Sequence, residues 1–265
     1  MPLSTHCQLA GEDSDAAALI QAQKHNDWPK WKAAMDFKMV MLEQAGTWCD
    51  VLCPQGKNIV GSKWVFKIKR KANGSIEKYK VCLIAQGFTQ VYGEDYFNTY
   101  FPIARLCSFH LILALAAHHN WDIESFNFVG AYLNGKLNSN KEIYMQPPPG
   151  YSSNTCKVKQ LQKSLYGLKQ AGCKWYDTLV CALSSLGFHT TSTNPGVFYA
   201  HMDKQVLILA VHVDDCVLTG SSKDLIATYK QKLNACYTLT NLGPLHWLLG
   251  IKITCNQAAH TISLS

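Results

Sequence analysis

Two adjacent carboxylates, Asp214 and Asp215, sit inside "LAVHVDDCVLTG", a run that is otherwise apolar and rich in β-branched residues. Unpaired carboxylates in such a run are costly, so something must neutralise them. Neighbouring residues on a strand point to opposite faces, and the two cannot both enter one core. Near a hairpin tip both can reach a bound cation. Mg²⁺ takes carboxylate oxygens together with substrate phosphates, so an acidic pair near basic residues is a candidate for phosphoryl transfer. The competing reading is a tight turn with both aspartates in water. The strand-like "LILAV" and "CVL" on either side argue against it.

The basic residues are concentrated. Residues 57–80 hold eight of the 25 Lys and Arg (Lys57, Lys63, Lys67, Lys69, Arg70, Lys71, Lys78, Lys80) and one of the 18 acidic residues, Glu77. The net charge of +7 therefore sits in this one segment, and the rest of the chain is neutral. The segment reads as two strands around "ANGS", with Asn73-Gly74 as the hairpin signal. Such a hairpin suits a phosphate backbone or a triphosphate. It also suits a solvated edge whose lysines block edge-to-edge pairing.

The elements that must position these groups follow from caps, periodicity and turn residues. Residues 1–25 read as a polar, poorly ordered leader. Asn26 or Asp27, Pro29 and Gly46 bracket a helix. "VCLIAQGF" reads as a further strand after the basic hairpin, and Arg105 to Asn120 as a helix buried on most sides. Asp122 to Gly135 reads as a strand passing into a short helix. "SLYGLKQAGCKWYDTLVCALSSLGF" reads as a glycine-containing loop and then a helix. "VFYAHMDKQVLILAVHVDDCVLTG" reads as two strands joined near Asp203, a hairpin with Asp214-Asp215 close to its tip, and "SKDLIATYKQKLNACY" as a capped amphipathic helix. "WLLGIKITCNQAAHTISLS" reads as a closing strand pair. Hairpins mixed with helices indicate an α+β fold, with no internal repeat and no linker marking a second domain. The 48% hydrophobic and 16% charged composition indicates a globular chain. The longest apolar run, "LILALAA", is too short to span a bilayer. No secretory signal is visible, and none of the eleven cysteines forms a C-x-x-C pair or a zinc spacing. They read as thiols of a reducing compartment.

From about Trp28 to Ser265 the chain resembles the reverse transcriptase domain of copia-type LTR retrotransposon Pol polyproteins. The motifs that carry the resemblance are "GSKWVFKIKRKANGSIEKYK", "GFTQVYGEDYFNTYFPIARL", "GAYLNG", "IYMQPPPGY", "SLYGLKQAGCKWYD", "HVDDCVLTGSS" and "LGPLHWLLGIKI". Their order and spacing are highly specific together, while each alone is more often core packing or a turn. The resemblance implies a right-hand polymerase fold with fingers at about 48–120 and a palm with an antiparallel sheet at about 121–265. It implies a Mg²⁺-dependent, RNA-directed DNA polymerase acting on a primer annealed to an RNA or DNA template with deoxynucleoside triphosphates. It also implies an intracellular setting, in a cytoplasmic particle or the nucleus, and no membrane partner.

Residue by residue, the resemblance makes Asp214 a ligand of both metal ions and Asp215 an outer partner. Tyr132 falls at the steric gate against ribonucleotides. Gly167 and Lys169 fall in the loop under the incoming nucleotide. Lys67, Lys69, Arg70, Lys71 and Lys80 fall in the fingers hairpin that touches phosphate or template. The histidines His118, His119 and His212 read as structural, because this metal wants oxygen.

The departures are as informative. Asn127 stands where the family carries the other essential aspartate, and a neutral amide is a poor bridge between two cations. Cys53, Cys82, Gln86, His110, Cys173 and Cys255 stand where basic residues are expected. All these changes lie one C-to-T or G-to-A transition away, a pattern of mutational decay in a repeated element. The expectation is a degenerate, truncated copy without RNase H or integrase. The alternatives are a non-catalytic nucleic-acid-binding remnant or co-opted fragment, a palm-type nucleotidyl cyclase, which the fingers hairpin disfavours, and a chain that makes no stable protein.

Overall fold

The structure, a computed structural model, describes residues 15–71, 73–137, 142–151 and 156–265. The chain runs α1 (Asp15–Lys24), α2 (Trp28–Gln44), β1 (Trp48–Leu52), β2 (Ile59–Val60), β3 (Ser62–Arg70), β4 (Ile76–Ala85), α3 (Leu106–His119), β5 (Asp122–Phe128), β6 (Ile143–Met145) and β7 (Lys157–Leu161). It continues through α4 (Ala171–Ser185), β8 (His189–Thr190), β9 (Val197–Met202), β10 (Gln205–His212), β11 (Asp215–Gly220), α5 (Lys223–Cys236), β12 (Leu239–Pro244), β13 (Trp247–Leu248), β14 (Ile251–Asn256) and β15 (Thr261–Leu264). These elements cluster into two compact units, Met1–Thr99 with Gly135–Trp175 and Tyr100–Asn134 with Tyr176–Ser265. Each unit is built from two stretches of chain, where the sequence reading places one division near residue 120.

In the first unit, α1 occupies part of the stretch expected to be an unordered leader; residues 1–14 of that leader lie outside the described residues. Helix α2 forms between its predicted brackets, though Asp27 at the N-cap makes no side-chain capping hydrogen bond. Pro29 sits in the first turn, where its missing N–H costs nothing, and Gly46 takes φ +62° beyond the C-terminus. Trp31, Met35, Met39 and Leu42 recur at helical spacing and are buried. Strands β3 and β4 form the basic hairpin, with Gly74 at φ +82° in its turn. "VCLIAQGF" is no separate strand: Val81 to Ala85 complete β4 and pair back to Ser62. The hairpin's apolar face meets α2, with Trp31 edge-on to Phe66 at 5.3 Å and to Tyr79 at 4.7 Å between ring centroids. A separate four-stranded sheet has the order β1-β7-β6-β2.

The second unit centres on a six-stranded sheet of order β12-β5-β11-β10-β9-β8. Phe109, Ile112, Leu113 and Ala116 of α3 join Ile123, Ala210 and Val217 from that sheet in one buried cluster. The alternate residues Leu207, Leu209 and Leu218 are buried as well, and α5 also packs on β11. Helix α3 is buried on one side only, since Leu106 and Leu111 are exposed. The expected two strands around Asp203 are three, because the apolar run breaks a second time at Val213-Asp214. The closing segment likewise holds three strands, β13-β14-β15. Helix α5 carries its predicted cap, with the Leu225 amide donating to Ser222 Oγ at 3.4 Å.

Candidate active site

The expected site residues fall into two groups, one in each unit. In the second unit, β10 and β11 pair until His212↔Asp215, which leaves Val213 and Asp214 as a two-residue turn. Val213 has φ +61°, a region that β-branched residues rarely enter. The turn sits beside the two aspartates and does not put both of them in water: each is half-buried, and Asp214 Oδ1 is fully buried.

The neighbouring strand brings in the third group. Asp215 lies directly opposite Asn127 on β5, and opposed residues on adjacent strands share a face. The Phe128 amide donates to the Asp214 carbonyl at 3.0 Å and locks the turn against the end of β5. Asp214, Asp215 and Asn127 thus meet at one end of two central strands. Tyr132, in a short 3₁₀ turn after β5, joins them. Burial first, and then the charge of Asp214, push its phenol up to about 12. Its ring is edge-on to Phe101 at 6.4 Å between centroids. The Cys216 thiol is pushed well up by burial, with the charges of Asp215 and Asp214 adding to it. His212 Nδ1 lies 3.5 Å from the Ala104 carbonyl, and His118 and His119 are exposed on α3.

This donor set fits one Mg²⁺ better than two. Mg²⁺ is held through one or two carboxylates plus water and phosphate oxygens, and Asp214 with Asp215 can supply that. A second, bridged ion calls for another carboxylate, and position 127 offers only an amide oxygen. Among the described residues no cluster of three or more His, Cys, Asp or Glu side chains is placed to hold a metal.

The second group lies in the first unit. Opposed pairs Lys67↔Lys80 and Lys69↔Lys78 put four exposed lysines on one face of the β3–β4 hairpin. Cys82, opposite Val65, continues that face, so an arginine there would add to it. Burial and then Lys80 and Lys78 hold the Lys69 ammonium below its usual range. Arg70 and Lys71 are exposed beside the turn, and Arg70 Nη1 donates to the Gly74 carbonyl at 3.0 Å. The "LYGLKQ" loop is fastened to the end of β4: the Ala85 amide donates to the Tyr166 carbonyl at 2.8 Å. Gly167 has φ +94°, and a Cβ there would stand 2.0 Å from the Ala85 carbonyl oxygen, so no other residue fits. Lys169 Nζ donates to the Tyr96 hydroxyl at 3.1 Å and lies over that ring.

Sequence reasoning missed the residues that hold this loop. Gln90 Oε1 accepts from the Lys169 amide at 2.8 Å, Gln90 Nε2 donates to Gln170 Oε1 at 3.0 Å, and Gln170 Nε2 donates to the Asp95 carbonyl at 3.0 Å. Gln90, Gln170 and Asp95 are all buried. The available signal was a glutamine closing both "GFTQ" and "GLKQ".

The reverse transcriptase (RNA-dependent DNA polymerase) family model matches residues 45–265. The chain belongs to the reverse transcriptase family. It is 33% identical, over 99% of its length, to the retrovirus-related Pol polyprotein from transposon TNT 1-94 of Nicotiana tabacum. It is 32% identical over 92% of its length to the Pol polyprotein from transposon RE1 of Arabidopsis thaliana. It is 31% identical over 74% of its length to the Ty1-BR Gag-Pol polyprotein of Saccharomyces cerevisiae. The chain spans 20%, 16% and 11% of these three polyproteins respectively. This reverse transcriptase domain is thus of the kind found in copia-type Pol polyproteins. Among the described residues no helix is long and apolar enough to cross a membrane.

Proposed function

We propose that this domain carries the architecture of an RNA-directed DNA polymerase, with the six-stranded sheet as palm and the β3–β4 hairpin in the fingers, and that Asn127 impairs its chemistry. The reaction would join a primer 3′-oxygen to the α-phosphorus of a deoxynucleoside triphosphate on an RNA or DNA template, with release of pyrophosphate. Asp214 and Asp215 would hold Mg²⁺, which when bound neutralises phosphate charge at the reacting centre. The observation that carries this reading is the register that sets Asn127 against Asp215, with Asp214 in the adjoining turn.

The chain's own groups then divide the work. Half-buried Asp214 and Asp215 would supply the carboxylate oxygens where cation and triphosphate meet. Asn127 adds an oxygen but no charge, and the loss of a bridging carboxylate costs about 10³-fold or more in rate. Tyr132, kept neutral, serves as the wall that excludes a 2′-hydroxyl. Gly167 and Lys169 support the nucleotide, and Lys67, Lys69, Arg70, Lys71 and Lys80 engage phosphate or template. The chain would then keep a basic hairpin for nucleic acid while the metal centre is one carboxylate short. A non-catalytic nucleic-acid-binding remnant is the second reading, favoured by the missing third carboxylate.

Primer extension decides between them. The native chain and Asn127→Asp are each given a DNA primer on an RNA template, deoxynucleotides, and Mg²⁺ or Mn²⁺. Product from Asn127→Asp and little or none from the native chain supports an intact architecture disabled at one ligand. Full activity in the native chain overturns the impairment. No product from either, with salt-sensitive template binding retained, makes the binding remnant the better reading.

A further inference from the structure

The β1–β7 ladder ends on a pair of cysteines. Its last strand rung is Leu52↔Lys157, and the register continues: the Cys53 amide donates to the Cys156 carbonyl at 2.9 Å. Cys53 and Cys156 therefore face each other, and both are exposed. Opposed residues joined by a backbone hydrogen bond have Cα atoms about 5.5 Å apart, inside the roughly 4.4–6.8 Å range of disulfides. Opposed side chains leave the same face of the ribbon, so the two sulfurs start on one side.

We propose that Cys53 and Cys156 form a redox modification site that closes into a cross-strand disulfide when a low-molecular-weight disulfide such as oxidised glutathione is available. One thiol loses its proton and its thiolate attacks a glutathione sulfur, breaking that S–S bond and releasing one glutathione thiolate. The second thiol loses its proton, and its thiolate attacks the protein sulfur of the mixed disulfide and releases the second glutathione. The two cysteines give up two electrons, the glutathione disulfide gains them, and no further oxidant is needed.

Selectivity follows from the register. Cys49 lies on the same face of β1, four residues back and about 13 Å along the strand, beyond disulfide reach of Cys53. It is opposed to Gln160 and hydrogen-bonds that side chain at 3.4 Å. The closed bond would tie the end of β1 to the start of β7 and enclose a loop of roughly 100 residues, a length at which chain-entropy stabilisation is large.

The test incubates the whole chain in glutathione redox buffers of increasing oxidised share, alkylates, digests and identifies linked peptides by mass spectrometry. The expected result is an intramolecular Cys53–Cys156 link in most molecules and a loss of two alkylatable thiols, both reversed by dithiothreitol. Cys49→Ser should leave the link intact, and Cys53→Ser and Cys156→Ser should each abolish it while circular dichroism stays unchanged. Separate glutathione adducts on the two cysteines, a link to another molecule, or the same yield of link from denatured chain would each overturn the proposal.

Discussion

Asn127 and Asp215 face each other across one strand pair, so a single side chain decides how much negative charge that end of the sheet carries. Restoring a carboxylate with Asn127→Asp is expected to raise primer-extension rate by about 10³-fold or more. The gain should come in the chemical step, and single-turnover kinetics would read it. Tyr132 reports the same local charge without any substrate. Its phenol should titrate near 12 by absorbance, and Asp214→Asn should lower that midpoint, though not to the ordinary value of 10, because burial is the larger cause. The sign for stability follows from a folded pKa raised above the unfolded one. The contribution of neutral Tyr132 is full below about pH 10 and is lost as pH rises toward 12. An unshifted phenol in the native chain would show that Tyr132 is not buried beside Asp214, and an unchanged midpoint in Asp214→Asn would remove Asp214 from its surroundings.

At the scale of elements, the turn between β10 and β11 carries strain. Val213 takes φ +61° at the first central position of a two-residue loop, where glycine is otherwise preferred. Relief of roughly 1–3 kcal/mol of backbone strain outweighs the roughly 0.5–1 kcal/mol entropy cost of glycine. Val213→Gly should therefore stabilise the domain by about 1 kcal/mol in urea unfolding, and a destabilised variant would show that the valine side chain earns its place by packing. The opposite sign is expected at Gly167. Its positive φ and the 2.0 Å approach to the Ala85 carbonyl make Gly167→Ala destabilising by at least about 2 kcal/mol. The β3–β4 hairpin repeats like charges across its rungs, Lys67 to Lys80 and Lys69 to Lys78. Such pairs destabilise a ribbon, so Lys78→Glu should raise stability by about 0.2–1 kcal/mol while weakening template binding and flattening its salt dependence.

On the scale of the molecule, charge and topology are separable. The net charge of +7 belongs to one hairpin segment, while the acidic pair sits in a unit assembled from other stretches of chain. Raising salt should therefore weaken nucleic-acid binding steeply without unfolding the domain, which parallel binding and circular-dichroism titrations would separate. Closure of Cys53 to Cys156 should raise the midpoint of urea unfolding, through up to about 4.7 kcal/mol of loop-closure entropy. The same oxidation in Cys53→Ser should leave the midpoint where it was.

The order of motifs in the sequence identifies the family by resemblance, and that resemblance points to Asp214, Asp215 and Asn127 as one group; register sets Asn127 opposite Asp215 with Asp214 in the adjoining turn. The α+β character, the hairpin at Asn73-Gly74, helix α2 and the capped helix α5 are determined by the sequence through local physics: a cap, a turn residue, a period, or a charge run. Only the tertiary structure decided where long apolar runs break. The sequence puts Asp214-Asp215 near a hairpin tip, but valine is a poor choice at positive φ, and the turn's place at Val213-Asp214 is set by the pairing of β11 with β10 and with β5. The same holds for "VCLIAQGF", whose identity as the second arm of a hairpin depends on its partner Ser62 to Phe66. The amide lattice of Gln90 and Gln170 and the opposition of Cys53 to Cys156 join residues far apart in the chain. Register across strands is a non-local quantity, and no spacing along one strand encodes it.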